Sequence, residues 1–493
     1  MAVSEQWAFC GVSELQAALS KGDVTSRELV EYFRARMEKY NGALNAIVAT
    51  NFDDALAAAD EADQARSRGE IKGPLHGIPM TIKDTFEVIG MPCTAGSPSL
   101  ASHMPANNAF TVQRLIDAGA IVFGKTNIPL FAGDIQSFNK LYGVTNNPWD
   151  TSRTPGGSSG GAAAALAAGL TPIELGSDLA GSIRTPSHFC GIYGHKPTHG
   201  IISGRGHIPG PPGMLLEPDL ATPGPMARTA EDLNLMLDVL AAPGPLMGDC
   251  WTLTLPEAPQ KTLGDFKVLL WTQDPMSPID GELQAAYDEL AGHLKAQGVE
   301  VTVGAPEGMS LATFVPTYMN LLGSVLSGTL KPAQRRVTAV IAKIAAKFGK
   351  KMKLGPHVDK LLTGMTQVHA DWLKNHEGRL RIARKAEKIF DKYDLVLTPV
   401  VQVPAFKHQP KPAVHKRRLP VNGEQRPYTE LFMWIAPATL MGLPATSAPV
   451  GKTKEGLPVN VQILGKKYHD KTTIQFAALL EKSFRRFEKP EGY

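Results

Sequence analysis

Two spacings of apolar side chains alternate along the chain and indicate its helices and strands. Residues 12–40 carry apolar side chains at helical intervals, and Thr25 and Glu28 have the spacing of a capping box. Further helices are predicted at 52–68, 108–118, 162–168, 229–241 and 471–486. Short apolar runs predict buried strands at 77–84, 120–125, 172–178, 393–399, 445–450 and 459–464.

The alternation of strand and helix predicts an α/β fold. Residues 134–160 and 200–225 are rich in turn-forming residues and are predicted to be loops. The segment of about 250–390 has few turn signals and is predicted to be a mostly helical insertion. Because strands are predicted near both ends of the chain, we expect one large domain over residues 1–493.

The composition fits a soluble globular protein. The 493 residues are 43% hydrophobic and 20% charged, and their net charge of +4 gives no reason to expect a nucleic-acid partner. No apolar run approaches the ~18 residues that a membrane-spanning helix needs. Residues 1–16 lack the pattern of a signal peptide. We therefore expect a cytoplasmic protein without stable membrane insertion.

The residues that often bind metals do not have the spacing of a known metal site. The four cysteines form no CxxC pair, and the histidines between 188 and 207 lack the spacing of zinc ligands. These residues are Cys10, Cys93, Cys190, Cys250, His188, His195, His199 and His207. We expect neither a disulfide framework nor a metal.

Residues 154–161 (TPGGSSGG) run directly into an alanine-rich helix. Glycine permits positive φ and close backbone approach, and a helix N-terminus offers free N–H groups. The stretch matches G-x-S-x-G, which would make Ser158 the nucleophile of an elbow, but no strand is predicted before it. It also lacks the lysine of a phosphate-binding loop, and it is short for a linker.

A second serine-bearing turn, GSDLAGSIRTP at 176–186, follows a predicted strand. Successive N–H groups in such a turn can bind an oxyanion, although the pattern by itself is typical of any turn.

Four motifs occur in order along the chain: GIPMTIKD at 77–84, GGSSGG at 156–161, GSDLAGSIR at 176–184 and GPMARTAEDL at 224–233. In this combination the chain resembles the amidase signature family of Ser–Ser–Lys hydrolases along nearly its whole length. The resemblance implies a single large domain in which helices cover both faces of a central mixed, twisted β-sheet. It places the signature core at about 70–240 and implies no cofactor.

The resemblance also implies catalytic roles. Ser182 would be the nucleophile, Ser158 would relay protons, and Lys83 would be the general base. A serine hydroxyl needs an adjacent base, and lysine is a base only when neutral. Its pKa must therefore fall from about 10.4 toward about 7–8, and burial at the end of an apolar strand lowers it.

Backbone groups and neighbouring side chains would complete the site. The resemblance assigns the oxyanion hole to the backbone N–H groups of Leu179, Ala180, Gly181 and Ser182. It assigns supporting positions to Gly157, Ser159, Asp178 and Arg184. A cis peptide would join Gly157 to Ser158, and Asp178 and Arg184 would hold the loops by charge-assisted hydrogen bonds.

The implied reaction is hydrolysis of amide C–N bonds through an acyl-enzyme on Ser182. The family's nucleophile turn usually reads Asp-Thr-Gly-Gly-Ser, so Leu179 and Ala180 are departures, and Leu130 stands where the family often has glutamate. These apolar replacements tilt the pocket toward apolar substrates. Similarity to family members that act on aryl amides, nylon-type oligomers and carbamates implies small-to-medium apolar amides as substrates. Esters are expected as further substrates, and carbamates (urethanes) are candidates.

The alternative function is the A-type glutaminase subunit of a tRNA-dependent amidotransferase, which has the same core and works inside a complex. The apolar Leu179–Ala180 turn argues against it. The expected partner is thus a small-molecule substrate, without nucleic acid, and the expected oligomeric state is a monomer or homodimer.

Residues 331–353 carry eight Lys or Arg and no acidic residue. Their larger apolar residues stand at helical spacing: Val337, Val340, Ile341, Ile344 and Phe348. The pattern fits a basic amphipathic helix that meets a membrane surface or a partner. The same spacing also fits a helix of the insertion whose basic face is exposed to solvent. Basic helices of this kind are more often solvated than bound to a membrane or partner.

Overall fold

The computed structural model describes residues 6–208, 210–245, 247–248, 250–349, 351 and 354–493. Its strands are β1 (Ile47–Thr50), β2 (Pro79–Lys83), β3 (Ile121–Thr126), β4 (Phe138–Asn139), β5 (Gly143–Val144), β6 (Ile173–Asp178), β7 (Tyr193–Lys196), β8 (Thr222–Ala227), β9 (Lys267–Leu270), β10 (Glu300–Val303), β11 (Leu395–Pro399), β12 (Arg418–Val421), β13 (Glu424–Pro427), β14 (Ala445–Lys452) and β15 (Pro458–Gly465).

The α-helices of the described residues are α1 (Val12–Lys21), α2 (Ser26–Leu44), α3 (Phe52–Ser67), α4 (Phe110–Asp117), α5 (Gly160–Ala167), α6 (Arg184–Cys190), α7 (Ala230–Leu240), α8 (Gly281–Ala296), α9 (Leu311–Leu326), α10 (Pro332–Phe348), α11 (Val358–Gly364), α12 (His369–Glu387), α13 (Ala436–Met441) and α14 (Asp470–Ser483). None of these helices is long and apolar enough to cross a membrane.

Eleven strands form one mixed sheet in the order β1-β3-β2-β6-β8-β7-β14-β15-β11-β9-β10. β2 is parallel to β3 and β6, while the strands from β6 through β8, β7, β14 and β15 pair antiparallel. Parallel strands need cover on both faces, and helices supply it. The predicted single-domain α/β fold is therefore confirmed.

The sheet brings the ends of β2 and β6 together. Every residue of both strands is buried, which explains their nearly continuous apolar sequence. Thr81 is paired with Glu174 and Ile82 with Leu175 in parallel register, so the carboxyl ends of the two strands meet at one edge of the sheet. Lys83 ends β2 and Asp178 ends β6.

Strand β8 begins inside the segment 200–225 that the sequence predicts as loop. Pro223 and Pro225 argue against a strand because proline donates no ladder hydrogen bond. Both prolines pair with β6, while β7 pairs only with the last two residues of β8, Met226 and Ala227. The prolines thus lie where β8 has a strand partner on one side only.

The segment of about 250–390 contains α8 to α12, and it also supplies β9 and β10. These two strands form one end of the main sheet, where β9 pairs in parallel with β11. The described residues of this segment are mostly helical, and its two strands belong to the main sheet.

Candidate active site

Lys83 lies at the centre of a group of serine hydroxyls. Its Nζ is 2.8 Å from Ser158 Oγ, 2.8 Å from Ser159 Oγ and 3.0 Å from Ser177 Oγ. The lysine side chain is fully buried, and Ser158 is 1% exposed. The structure therefore brings the two serines of the GGSSGG stretch directly onto the last residue of β2.

Burial lowers the pKa of Lys83 to about 7, although the negative charges of Asp178 and Glu174 act in the opposite direction. A lysine with this pKa is neutral in a large part of the molecules near neutral pH. The lone pair of a neutral Nζ can accept a proton from the Ser158 hydroxyl. The residue that the sequence predicts as the general base thus has the burial that this role requires.

Close packing explains the glycines of residues 154–161. Gly156 has φ +89°, and a Cβ there would lie 2.8 Å from the Cα of Pro186. A Cβ on Gly161 would overlap the backbone of Asn127. The Gly157–Ser158 peptide bond is cis. The loop enters α5, all of whose residues are buried.

Asp178 organises the turn that carries Ser182. Its carboxylate accepts the N–H of Gly181 at 2.9 Å and that of Ile183 at 3.2 Å. It also forms a fully buried ion pair with Arg184, at 2.8 Å. Burial raises the pKa of Asp178, but the charge and hydrogen bonds of Arg184 outweigh that effect and hold the pKa at about 2. Asp178 is therefore an anion that fixes the turn.

Ser182 lies beside the Lys83 cluster and is more exposed than Ser158 or Lys83. The N–H of Ser159 donates to the carbonyl oxygen of Ser182 at 3.1 Å, and Ser182 is 9% exposed. Among the described residues no hydrogen bond joins Ser158 Oγ to Ser182 Oγ. Catalytic hydrogen bonds are often long without substrate and tighten in the reacting complex.

The backbone N–H groups of the turn divide into two kinds. The N–H of Gly181 is engaged by Asp178, which differs from its predicted place in the oxyanion hole. Within the described part of the chain, the N–H groups of Leu179, Ala180 and Ser182 have no acceptor. These three groups are the ones available to a substrate oxyanion.

Ser177 and His207 also lie in the Lys83 cluster, although the sequence does not predict either as a site residue. His207 Nε2 is 2.8 Å from the Ser177 hydroxyl, and its ring is 4.7 Å from that of Phe86. Burial, assisted by the charge of Lys83, lowers the pKa of His207 to about 3, so the ring is neutral. Ser177 lies in the GSD motif, so its place near the site could have been expected from the sequence. His207 lies in a loop, and no residue spacing there indicates a site residue.

Apolar side chains lie along the other side of the turn that carries Ser182. Leu179 and Ala180 are half-buried and pack against the main hydrophobic core. The hydroxyl of Tyr318 donates to the carbonyl oxygen of Leu179 at 3.4 Å, and the Ile435 side chain lies against Gly181. Leu130, the other apolar departure, is 49% exposed in a short 3-10 turn.

The described residues contain no group of three or more His, Cys, Asp or Glu that could hold a metal ion. The four cysteines are free thiols. His195, one of the histidines considered above, is buried between Thr446 and Asp470.

A mixed eleven-stranded sheet holds the buried Lys83 against a group of serine hydroxyls. Among known proteins, the family described as Amidase matches residues 28–474. The chain belongs to the amidase signature family.

Relatives and solved structures match nearly the whole chain. The A-type subunit of the Glutamyl-tRNA(Gln) amidotransferase of Synechococcus sp. (strain CC9605) is 31% identical over 98% of this chain and 98% of its own. The corresponding protein of Chloroflexus aurantiacus (strain ATCC 29366 / DSM 635 / J-10-fl) is 33% identical over 94% of each chain. The structure of 6-aminohexanoate cyclic dimer hydrolase with substrate has a TM-score of 0.78 at 25% identity, covering 98% of this chain and 99% of that one.

Proposed function

We propose that this protein hydrolyses amide C–N bonds by acyl transfer, with Ser182 as nucleophile, Ser158 as proton relay and Lys83 as general base. The observation that carries the proposal is the fully buried Lys83 Nζ, with its lowered pKa, at 2.8 Å from Ser158 Oγ. A buried lysine without a close carboxylate partner is costly to maintain, and general-base chemistry gives a reason for it.

The acylation step needs one proton path. Ser182 Oγ attacks the amide carbonyl carbon while its proton passes to Ser158 Oγ and the Ser158 proton passes to Lys83 Nζ. The N–H groups of Leu179, Ala180 and Ser182 would stabilise the resulting oxyanion. The C–N bond then breaks, and the leaving nitrogen takes a proton back through Ser158.

Deacylation repeats the path with water. A water molecule gives its proton to the Ser158–Lys83 pair and attacks the ester carbonyl of the acyl-enzyme. The acid is released, and Ser182 regains its proton. Ser159 and Ser177 would hold Lys83 Nζ in position through their contacts at 2.8 and 3.0 Å.

Two substrate classes are candidates for this chemistry. The names of the curated relatives, at 31–33% identity over nearly the whole chain, favour a glutaminase of the amidotransferase type over an apolar-amide hydrolase. The apolar setting of Leu179 and Ala180 supports an apolar amide, ester or carbamate, as does the likeness to 6-aminohexanoate cyclic dimer hydrolase. Glutamine is therefore the first substrate to assay, and apolar amides are the second.

The test of the reaction is turnover by the purified chain on a panel of glutamine, an anilide, an ester and a carbamate. Ser182→Ala should lower kcat at least about 10³-fold on any substrate that the parent cleaves. The control Ser152→Ala removes an exposed hydroxyl that bonds Asp150, and it should keep the parent kcat. Near-parental turnover by Ser182→Ala would overturn the proposal.

The same panel separates the two substrate classes. An apolar-amide hydrolase should cleave the anilide without any other protein. This result is expected of a cytoplasmic enzyme that acts on small molecules. A glutaminase of the amidotransferase type should release ammonia from glutamine, with a rate that rises when amidotransferase partner subunits and tRNA are added. In both cases the acyl group should form on Ser182.

A further inference from the structure

Helix α10 (Pro332–Phe348) exposes the side chains that an amphipathic helix normally buries. Five large apolar residues are each 44–60% exposed: Val337, Val340, Ile341, Ile344 and Phe348. The helix instead buries small residues, Ala342 and Ala345, toward the side where it packs against α11. Residues 350, 352 and 353 of the basic segment 331–353 lie outside the described residues.

The exposed apolar residues form one continuous face. With about 100° of rotation per residue, the five side chains fall within an arc of about 100°. Arg336, Lys343 and Lys347 follow one another at spacings of seven and four, so they line one flank of this face. All three cations are exposed, and among the described residues none of them forms an ion pair.

The charge of the face selects the kind of occupant. α10 carries four basic residues and no acidic residue. A second copy docked antiparallel about a two-fold axis would bring these cations against their equivalents on the same side, which is unfavourable. An anionic lipid surface offers phosphate groups to the cations and an apolar interior to the side chains between them.

We propose that α10 is the surface by which this protein binds an anionic lipid membrane. The helix lies in the plane of the interface, with Ile341 and Ile344 near the middle of its length on the inserted face and Lys343 and Lys347 at the level of the phosphates. This mode of binding is peripheral and needs no spanning helix.

The test is flotation of the full chain with vesicles of phosphatidylcholine, with and without phosphatidylglycerol, at low and high salt. The chain should float with the anionic vesicles at low salt and much less with the neutral vesicles or at high salt. Lys343→Glu/Lys347→Glu and Ile341→Gln/Ile344→Gln should each lower the partition coefficient at least about tenfold.

The matched control is Lys21→Glu/Lys295→Glu, which makes the same change of net charge at exposed lysines of α1 and α8. It should keep binding within about threefold of the parent. Thermal melting of all variants checks that they are folded, independently of any enzymatic activity. The absence of flotation at low salt, or an equal loss in the control, would overturn the proposal. So would a concentration-dependent dimer that the Ile341→Gln/Ile344→Gln variant loses, because it would assign the face to a second copy.

Discussion

At the scale of single residues, the proposed reaction depends on a lysine that burial keeps partly neutral. Lys83 is fully buried and is surrounded by three serine hydroxyls rather than by a carboxylate in direct contact. The cost of burying an ammonium ion favours the neutral amine. The proposed general-base role of Lys83 Nζ therefore depends directly on the burial of this atom.

The pH dependence of turnover should report this pKa. Because the base is active only when deprotonated, kcat/KM should rise with pH through an acid limb with an apparent pKa of about 7. The measurement is kcat/KM from pH 5 to 10 on a neutral amide. A rate that stays constant from pH 5 to 8 would contradict the role of Lys83.

Glu174 offers a second test at this scale. The carboxyl is fully buried on β6, accepts a hydrogen bond from Thr126 Oγ1 at 2.7 Å, and raises the pKa of Lys83 through its charge. Burial raises the pKa of Glu174 itself to about 7, so its negative charge is present in only part of the molecules near neutral pH. Glu174→Gln removes that partial charge, so the acid limb of the pH profile should move modestly to lower pH. The control Glu481→Gln changes a carboxyl that bonds the N–H of Ala230, and it should not move the limb. An unmoved or upward-shifted limb in Glu174→Gln would contradict the account.

At the scale of elements, the site is built where β2, β6 and the start of α5 meet. A Cβ on Gly161 would overlap the backbone of Asn127. Helix α5 can approach the segment that contains Asn127 this closely because residue 161 is glycine. Gly161→Ala should lower the free energy of unfolding by about 1–3 kcal/mol, because it overpacks a closed contact.

The control for this prediction is Gly292→Ala in the exposed part of α8, where a Cβ would meet no atom within 4 Å. Alanine favours a helix over glycine, so this change should stabilise by about 0.5–1 kcal/mol. Chemical denaturation measures both values. Equal effects of the two substitutions would show that α5 does not need the small residue.

Much of this architecture could be predicted from the sequence. The six apolar runs are strands because their side chains are largely buried on both faces, and the resemblance names Lys83 and Ser158, which the structure brings into contact. The strand β8 is not predicted, because Pro223 and Pro225 argue against a strand. The fold tolerates them because β7 does not pair with this part of β8. The engagement of the Gly181 N–H by Asp178 and the contact of His207 with Ser177 depend on loop conformations that no spacing encodes.

At the scale of the whole molecule, polar contacts join distant parts of the chain. The buried carboxylate of Asp470, at the start of α14, accepts the N–H and the Oγ1 of Thr198, both at 2.7 Å, and lies 3.2 Å from His195 Nε2. These contacts tie the C-terminal helix to β7 and the loop that follows it. A sequence without its fold gives no sign of them, because the partners lie more than 270 residues apart.

Asp470→Asn should lower the free energy of unfolding by about 1–3 kcal/mol, because the Thr198 hydroxyl and N–H lose an anionic acceptor. Burial raises the pKa of Asp470, but the hydrogen bonds from His195 and Thr198 outweigh it and lower the pKa. The stabilisation by the ionised carboxylate is therefore present above about pH 4 and is lost as the pH falls. The exposed Asp288→Asn should change stability by less than about 0.5 kcal/mol. Denaturation curves at pH 7 compare the two variants, and equal effects would contradict the prediction.

The most direct test of the central claim is to trap the acyl-enzyme and locate it. The purified chain is mixed with an activated ester, quenched within the burst phase, digested and mapped by mass spectrometry. The acyl group should be found on the peptide that contains Ser182, and Lys83→Ala should abolish its formation. An acyl group on Ser158, as a nucleophile elbow would require, or adduct formation that survives in Ser182→Ala, would contradict the assignment.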